Sequence, residues 1–315
     1  MTRRVLVMTK ATQRSLILFR NWHSSSTVRS RPFAYQFTKA DFAQTEPSLW
    51  FPAELSPALT HDSVQALPKK ELLNLHVAHL VHFMDYTTTL EISYVNEAVH
   101  CIIAGNLQKY FEEEARCAAL KLYADEGYHA LFSKTIADQA AQHYSLERTN
   151  STRLESLNYI LEKSPKTFKC LTRFCIGFVS ETLITPELLK LSSHTLVDPV
   201  ANMLRDHIHD EGRHAIFFSE CFTSLWQKIS KIERDYVAHI LPTIIMAFCE
   251  PDLPFLHKLF KTRPRLGGDV AAYVLANRSS RVMHICAPTL RAIERTELLA
   301  NKDYFLLFKA SGLVA

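Results

Sequence analysis

Apolar residues along this chain recur at intervals of three and four, the period of an amphipathic helix, and almost nowhere alternate as a half-buried strand would. Only 7 glycines and 13 prolines punctuate 315 residues, so the stripes run long. After an irregular segment bearing Pro47, Pro52, Pro57 and Pro68, the pattern predicts a helix opening near Lys69 and continuing, with a bend around Asp85 to Thr89, to Gly105. Further helices are predicted at about Phe111–Tyr144, Thr152–Glu162, Pro165–Ser193, Pro199–Ile229, Lys231–Cys249 and Leu253–Phe260. A last helical stretch is expected after a loop at Arg263–Gly268. Long helices with short joints suit an antiparallel bundle, in which each buries one stripe along its whole length. The expected fold class is all-α: one domain over 1–315, with a bundle core at about 69–230, additional N-terminal helices and a C-terminal helical extension at about 231–315.

Composition narrows the function classes. Hydrophobic residues make up 47% of the chain, enough for a substantial core. The net charge, 36 − 32 = +4, is spread along the sequence rather than gathered beside aromatics, so nucleic acid is not an expected partner. Seven cysteines without CxxC spacing read as reduced core thiols of a cytoplasmic protein. No apolar run reaches the roughly 18 residues of a membrane span. The first 40 residues contain Arg and Ser but no acid before Asp41, the composition of a mitochondrial transit peptide. The alternative there is an amphipathic helix at about Thr12–Val28, with Leu16, Ile17, Phe19 and Trp22 facing the core.

The chemistry lies in a repeat. Asp125-Glu126-Gly127-Tyr128-His129-Ala130-Leu131-Phe132 returns as Asp210-Glu211-Gly212-Arg213-His214-Ala215-Ile216-Phe217, with six of eight residues identical. On a helix, Glu and His three apart lie about 60° from each other, so both point into one space and can bind one metal ion. One such pair arises by chance on solvated faces; two copies in matched surroundings do not suit that explanation. A ferritin-like dimetal bundle needs one further carboxylate from each of two other helices. Glu181, 30 residues before Glu211, sits among Phe174, Phe178, Ile184 and Leu188, where a carboxylate needs neutralising. Glu187, with Lys190 a turn on, suits a solvated face instead. On the first helix Glu91 and Glu97, respectively 35 and 29 residues before Glu126, both qualify, and periodicity leaves the choice open. His207, four before Glu211, is a third candidate nitrogen or else a core histidine bonded to a carbonyl. Asp125 and Asp210 are expected to accept the outer N–H of ligating imidazoles, or else to be solvated helix charges. His76, His79 and His82 suggest a partly exposed histidine face, and Glu112, Glu113 and Glu114 a helix N-terminus.

These motifs resemble the di-iron arylamine N-oxygenases, the p-aminobenzoate N-oxygenase family. Similar features are Trp22 with Val28-Arg29, Glu91 with Val95-Asn96, the first Glu-x-x-His, Val179-Ser180-Glu181-Thr182, and His207-x-x-x-Glu211-x-x-His214. The likeness covers roughly residues 15 to 220 and is most specific in the last motif. It implies a ligand set of Glu91, Glu126, His129, Glu181, His207, Glu211 and His214, which favours Glu91 over Glu97. It further implies two iron ions, O2 as co-substrate, an external electron donor, and a small-molecule amine or carrier-tethered amino acid as substrate in a biosynthetic pathway. Manganese fits the same donors, and a homodimer suits exposed long helices. Arg213, Tyr94 and Tyr128 are candidate substrate contacts. The rivals on such a centre are C–H hydroxylation, desaturation or oxidative cleavage, iron storage, and radical generation for ribonucleotide reduction.

Overall fold

The computed structural model describes residues 17–192 and 194–314, apart from the side chains at 185–187, 190, 279–281, 283 and 284. Helices and their joints account for them, and no strand occurs among the described residues. Residues 1–16, including Leu16 and the start of the basic segment, lie outside, as do the side chains of Glu187 and Lys190.

Helix α1 runs Lys69–Leu90, passes through a π-helical stretch at Glu91–Val95 and goes on as Asn96–Ile103. The irregularity expected around Asp85 to Thr89 thus falls a turn later, on Glu91 itself. A π-turn adds one residue to a turn and re-aims the side chains that follow, which is why such turns collect at functional sites. Helix α2 spans Glu113–Tyr144. It opens with Glu113 and Glu114 against the helix dipole and ends at Ser145 in the left-handed region (φ 50°), where Leu146 N–H closes on the Ala141 carbonyl at 2.9 Å. Helix α3 (Thr152–Lys163) crosses over to α4 (Lys169–Ser192), and α5 (Asp198–Lys228) starts with Pro199 in its first turn.

Four of these close into a ring: α1 packs on α2, α2 on α5, α5 on α4, and α4 on the second half of α1. Small residues set the spacing. The buried face of α2 carries Ala115, Ala118, Ala119, Ala130, Ala137, Ala140 and Ala141. On α4, a Cβ added at Gly177 would meet Ala98 Cβ at 2.6 Å and Phe218 at 3.1 Å, so only glycine allows this approach one turn before Glu181.

The chain after 230 wraps this ring. Helices α6 (Lys231–Phe248), opened by a Ser230–Glu233 capping box, and α9 (Arg278–Glu294) pack on α4. Between them lie α7 (Leu253–Leu259) and α8 (Pro264–Ala276), and α10 (Lys302–Ala310) packs on α6. The loop expected at Arg263–Gly268 is in fact the first turn of α8, with Pro264 at its start, where a missing N–H costs nothing. A single buried hydrophobic cluster runs from Phe19 to Leu313.

The N-terminal expectation needs correcting too. Among the described residues the helix is not continuous through Val28: a turn at 19–21 and an extended backbone at Ser26 (ψ 140°) leave short helices at Trp22–Ser25 and Thr27–Ser30. Phe19 is buried but Ile17 is 62% exposed. All seven cysteines are unbridged. Among the described residues no helix is long and apolar enough to cross a membrane.

Candidate metal centre

Each of the four ring helices sends carboxylates or imidazoles inward at one level. Glu91 comes from the π-turn of α1, Glu126 and His129 from α2, Glu181 from α4, and His207, Glu211 and His214 from α5. None of the seven is more than 2% exposed. Phe132, Phe174, Phe178, Phe217, Phe218 and Phe222, all buried, pack through the same bundle core and shut water out.

The ring atoms that face inward are Nδ1 of His129, Nδ1 of His214 and Nε2 of His207. Glu126 reaches both repeat histidines, with Oε1 2.7 Å from His214 and Oε2 3.3 Å from His129. Glu211 Oε1 lies 3.2 Å from His129, 3.1 Å from His207 and 3.4 Å from His214. On one flank Glu91 comes within 3.1 Å of His207 and 3.8 Å of His129; on the other Glu181 stands 3.8 Å from His214. Two overlapping quartets result: Glu91, His129, His207 and Glu211, and Glu126, His129, Glu211 and His214.

These contacts are not hydrogen bonds. The carboxylate oxygens of Glu126, Oε2 of Glu91 and of Glu211, and the inward nitrogens of His129, His207 and His214 are buried without a hydrogen-bond partner. Polar atoms so placed cost several kcal/mol each unless something satisfies them. Converging lone pairs of carboxylate oxygen and imidazole nitrogen are what a pair of divalent cations satisfies, so the residues fit a dimetal centre.

Protonation in the metal-free protein leads to the same place. Burial pushes the Glu91 carboxyl up to about 7, against the pull of His207. Burial and the neighbouring Glu211 and Glu126 carboxylates hold Glu181 well above the usual range. Glu211 is also raised by burial, but the adjacent imidazoles of His129, His207 and His214 outweigh this and hold it well below the usual range. His129 and His214, which burial alone would depress, are driven well up by the carboxylates around them. Protons therefore balance the cluster until metal replaces them.

The outer faces of the two repeat histidines are tied crosswise. Asp125, beside Glu126, accepts from Nε2 of His214 at 3.3 Å, and Asp210, beside Glu211, accepts from Nε2 of His129 at 3.4 Å. An acceptor-only carboxylate there fixes each ring's tautomer with the lone pair at Nδ1, facing inward. The short N-terminal helices hold both aspartates. Trp22 donates to both oxygens of Asp125 at 2.9 Å and Ser26 to one at 2.5 Å. Thr27 donates its hydroxyl to Asp210 at 2.5 Å and its N–H at 3.2 Å, and Arg213 pairs with the same aspartate. Tyr35 likewise donates to Asp206 at 2.8 Å.

Several other expectations fall elsewhere. Glu97 is partly exposed and pairs with Arg173 at 3.4 Å. Tyr94 spends its hydroxyl on the Leu154 carbonyl at 2.9 Å, Arg213 is committed to Asp210, and Tyr128 packs on Tyr35 and Phe132, so none is aimed at the centre. The histidine face of α1 is mostly buried: His76 and His79 are buried and donate to the carbonyls of Phe51 and Leu75, and only His82 is partly exposed. Ser26 and Thr27 were unforeseen, since in sequence they belong to a run of serines within a basic segment.

Fold and site together define a ferritin-like, carboxylate-rich dimetal protein of the oxygenase kind. More narrowly, the chain belongs to the p-aminobenzoate N-oxygenase AurF family, whose model matches residues 13–290. The family is one of di-iron N-oxygenases that act on an arylamine and require an electron donor. No curated protein matches the chain.

Proposed function

We propose that this protein holds two iron ions between Glu91, Glu126, His129, Glu181, His207, Glu211 and His214 and uses O2 to oxygenate the nitrogen of an arylamine in a biosynthetic pathway. What carries the proposal is the convergence of buried, unpartnered carboxylate and imidazole atoms of Glu91, Glu126, His129, His207, Glu211 and His214 from three helices, in a chain of this family. When bound, the irons supply oxygen activation and the electrons for it, drawn from an external donor.

The chain's own residues do the rest. Glu126 presents one oxygen to each flank and would help to hold both ions, with Glu211 Oε1 facing all three imidazoles. His129 is common to both quartets, with His207 and Glu91 completing one and His214 and Glu126 the other. Asp125 and Asp210 orient the rings, and the phenylalanine shell keeps the reacting nitrogen away from bulk water. Nitrogen donors of this number suit oxygen activation better than iron transit, which argues against storage. A carrier-tethered amine remains within the proposal, as do a cytoplasmic location and a homodimer. Exposed apolar Leu120, Tyr123 and Leu131 on α2 and Ile216 on α5 support the last.

The test loads the protein anaerobically with ferrous iron, mixes it with O2 and a panel of arylamines, and identifies products by mass spectrometry. Hydroxylamine, nitroso or nitro products are expected. Hydroxylation on carbon, or oxidation of many irons per chain with no organic product, would overturn it.

A further inference from the structure

Two cysteines far apart in sequence meet outside the metal centre. Cys249 caps the C-terminus of α6 and Cys286 lies 37 residues later in α9, yet their sulfurs stand 3.4 Å apart. Their access to solvent differs: Cys249 is half-buried, whereas Cys286 is fully buried. Both helices pack on α4, which bears Glu181, and α7 and α8 lie between them in the chain. One turn past Cys286, the Thr289 hydroxyl is hydrogen-bonded to that of Thr182, next to Glu181, at 2.8 Å. Helix α9 is thus a strap laid against the back of a ligand-bearing helix.

A disulfide holds its sulfurs about 2.0 Å apart, so closing this pair needs an approach of roughly 1.4 Å, on the scale of small side-chain rotations. The two thiols are also unequal as acids. The hydrogen bond to Cys249 and burial hold the Cys286 thiol above its ordinary range, so Cys249 gives up its proton first and Cys286 S–H donates to it. An accessible thiolate touching a buried thiol is the arrangement of an attacking and a resolving cysteine. Cys101 and Cys170 are neighbours as well, but they belong to α1 and α4, which already pack along their length.

We propose that Cys249 and Cys286 form a reversible disulfide that fastens the C-terminal wrap over α4, with a small disulfide such as oxidised glutathione as the oxidant. The Cys249 thiolate attacks one glutathione sulfur; the glutathione S–S bond breaks, and the glutathione thiolate released takes up a proton. Cys286 then attacks the Cys249 sulfur, losing its proton and expelling the second glutathione as a thiol. Two protein thiols give up two electrons, and oxidised glutathione takes them up as two glutathione thiols. The new bond closes a loop around α7 and α8 and joins α6 to α9 directly. A cross-link over so long a loop restricts the unfolded chain and stabilises the folded one.

The full-length protein is equilibrated in glutathione buffers of increasing oxidised fraction, quenched with an alkylating reagent and mapped by peptide mass spectrometry. A Cys249–Cys286 cross-link that dithiothreitol reverses is expected, with a melting temperature about 5 °C above that of the reduced protein. Cys286→Ser should stop the reaction at a glutathione held on Cys249, and Cys249→Ser should leave Cys286 unmodified; both should lose the melting shift. Cys249→Ser changes a half-buried position at a helix end, and it keeps the test where Cys286→Ser does not fold. Exposed Cys117 reports that the oxidant has acted. Glutathione on Cys117 with Cys249 and Cys286 still reduced, a Cys101–Cys170 cross-link in their place, or a Cys249–Cys286 bond that leaves the melting temperature unchanged would overturn the proposal.

Discussion

The two Glu-x-x-His turns are near-copies in sequence, yet the halves of the centre they build are unequal. His129 shares its half with His207 and with Glu91, which the π-turn of α1 delivers to within 3.1 Å of His207. His214 has Glu181 at 3.8 Å and shares His129 and Glu211 with the first half. The outer supports differ as well: Thr27 and Arg213 hold Asp210, whereas the Trp22 indole and Ser26 hold Asp125. A duplicated motif has thus been made asymmetric by what surrounds it. The half that Glu91 and His207 complete and the half that Glu126 and His214 complete are therefore expected to differ in metal affinity.

The largest effect is expected from the carboxylates common to both halves. Glu126→Ala and Glu211→Ala should each abolish iron at both positions and all N-oxygenation, measured by elemental analysis and product yield. Splitting the halves comes next. His207→Ala should empty the Glu91 side and Glu181→Ala the His214 side, each leaving about one iron per chain, and a ferrous titration of the native protein should show two unequal affinities. Asp125→Asn and Asp210→Asn should weaken the half whose histidine each orients by about 10–100-fold. Trp22→Phe or Thr27→Val, which remove a single donor to those aspartates, should cost about 0.5–3 kcal/mol of stability without removing either iron, read by thermal melting.

The pH dependence sharpens the contrast between metal-free and loaded protein. His129 and His214 carry raised pKa values, so the stability they add is present at low pH and is lost as pH rises through those values. Glu91 and Glu181 act in the same direction, because burial penalises their ionised forms as pH rises. From about pH 6.5 upward the melting temperature of the metal-free protein should fall with pH. Iron must displace those same protons, so its affinity should rise over that window and the loaded protein should gain relative stability.

Much of this was legible in sequence because each signal is local and periodic. The repeat at 125–132 and 210–217 places two ligands per helix, and the helix boundaries follow caps and prolines. Glu91 against Glu97 was not decidable by periodicity, since the π-turn at Glu91–Val95 changes the helical phase where the choice is made. The crosswise Asp–His bonds, the Trp22–Thr27 clamp and the buried His79 depend on which helices face each other, which spacing within one helix does not encode. The same blindness made Tyr94 and Arg213 look like substrate contacts, when their polar ends are spent on Leu154 and Asp210.

The most direct measurement is the number of ferrous ions bound per chain under anaerobic conditions, native protein against Glu126→Ala. The account predicts two for the native chain and none for a variant that still folds. Wild-type binding retained by Glu126→Ala, or a native chain that binds no iron, would contradict it.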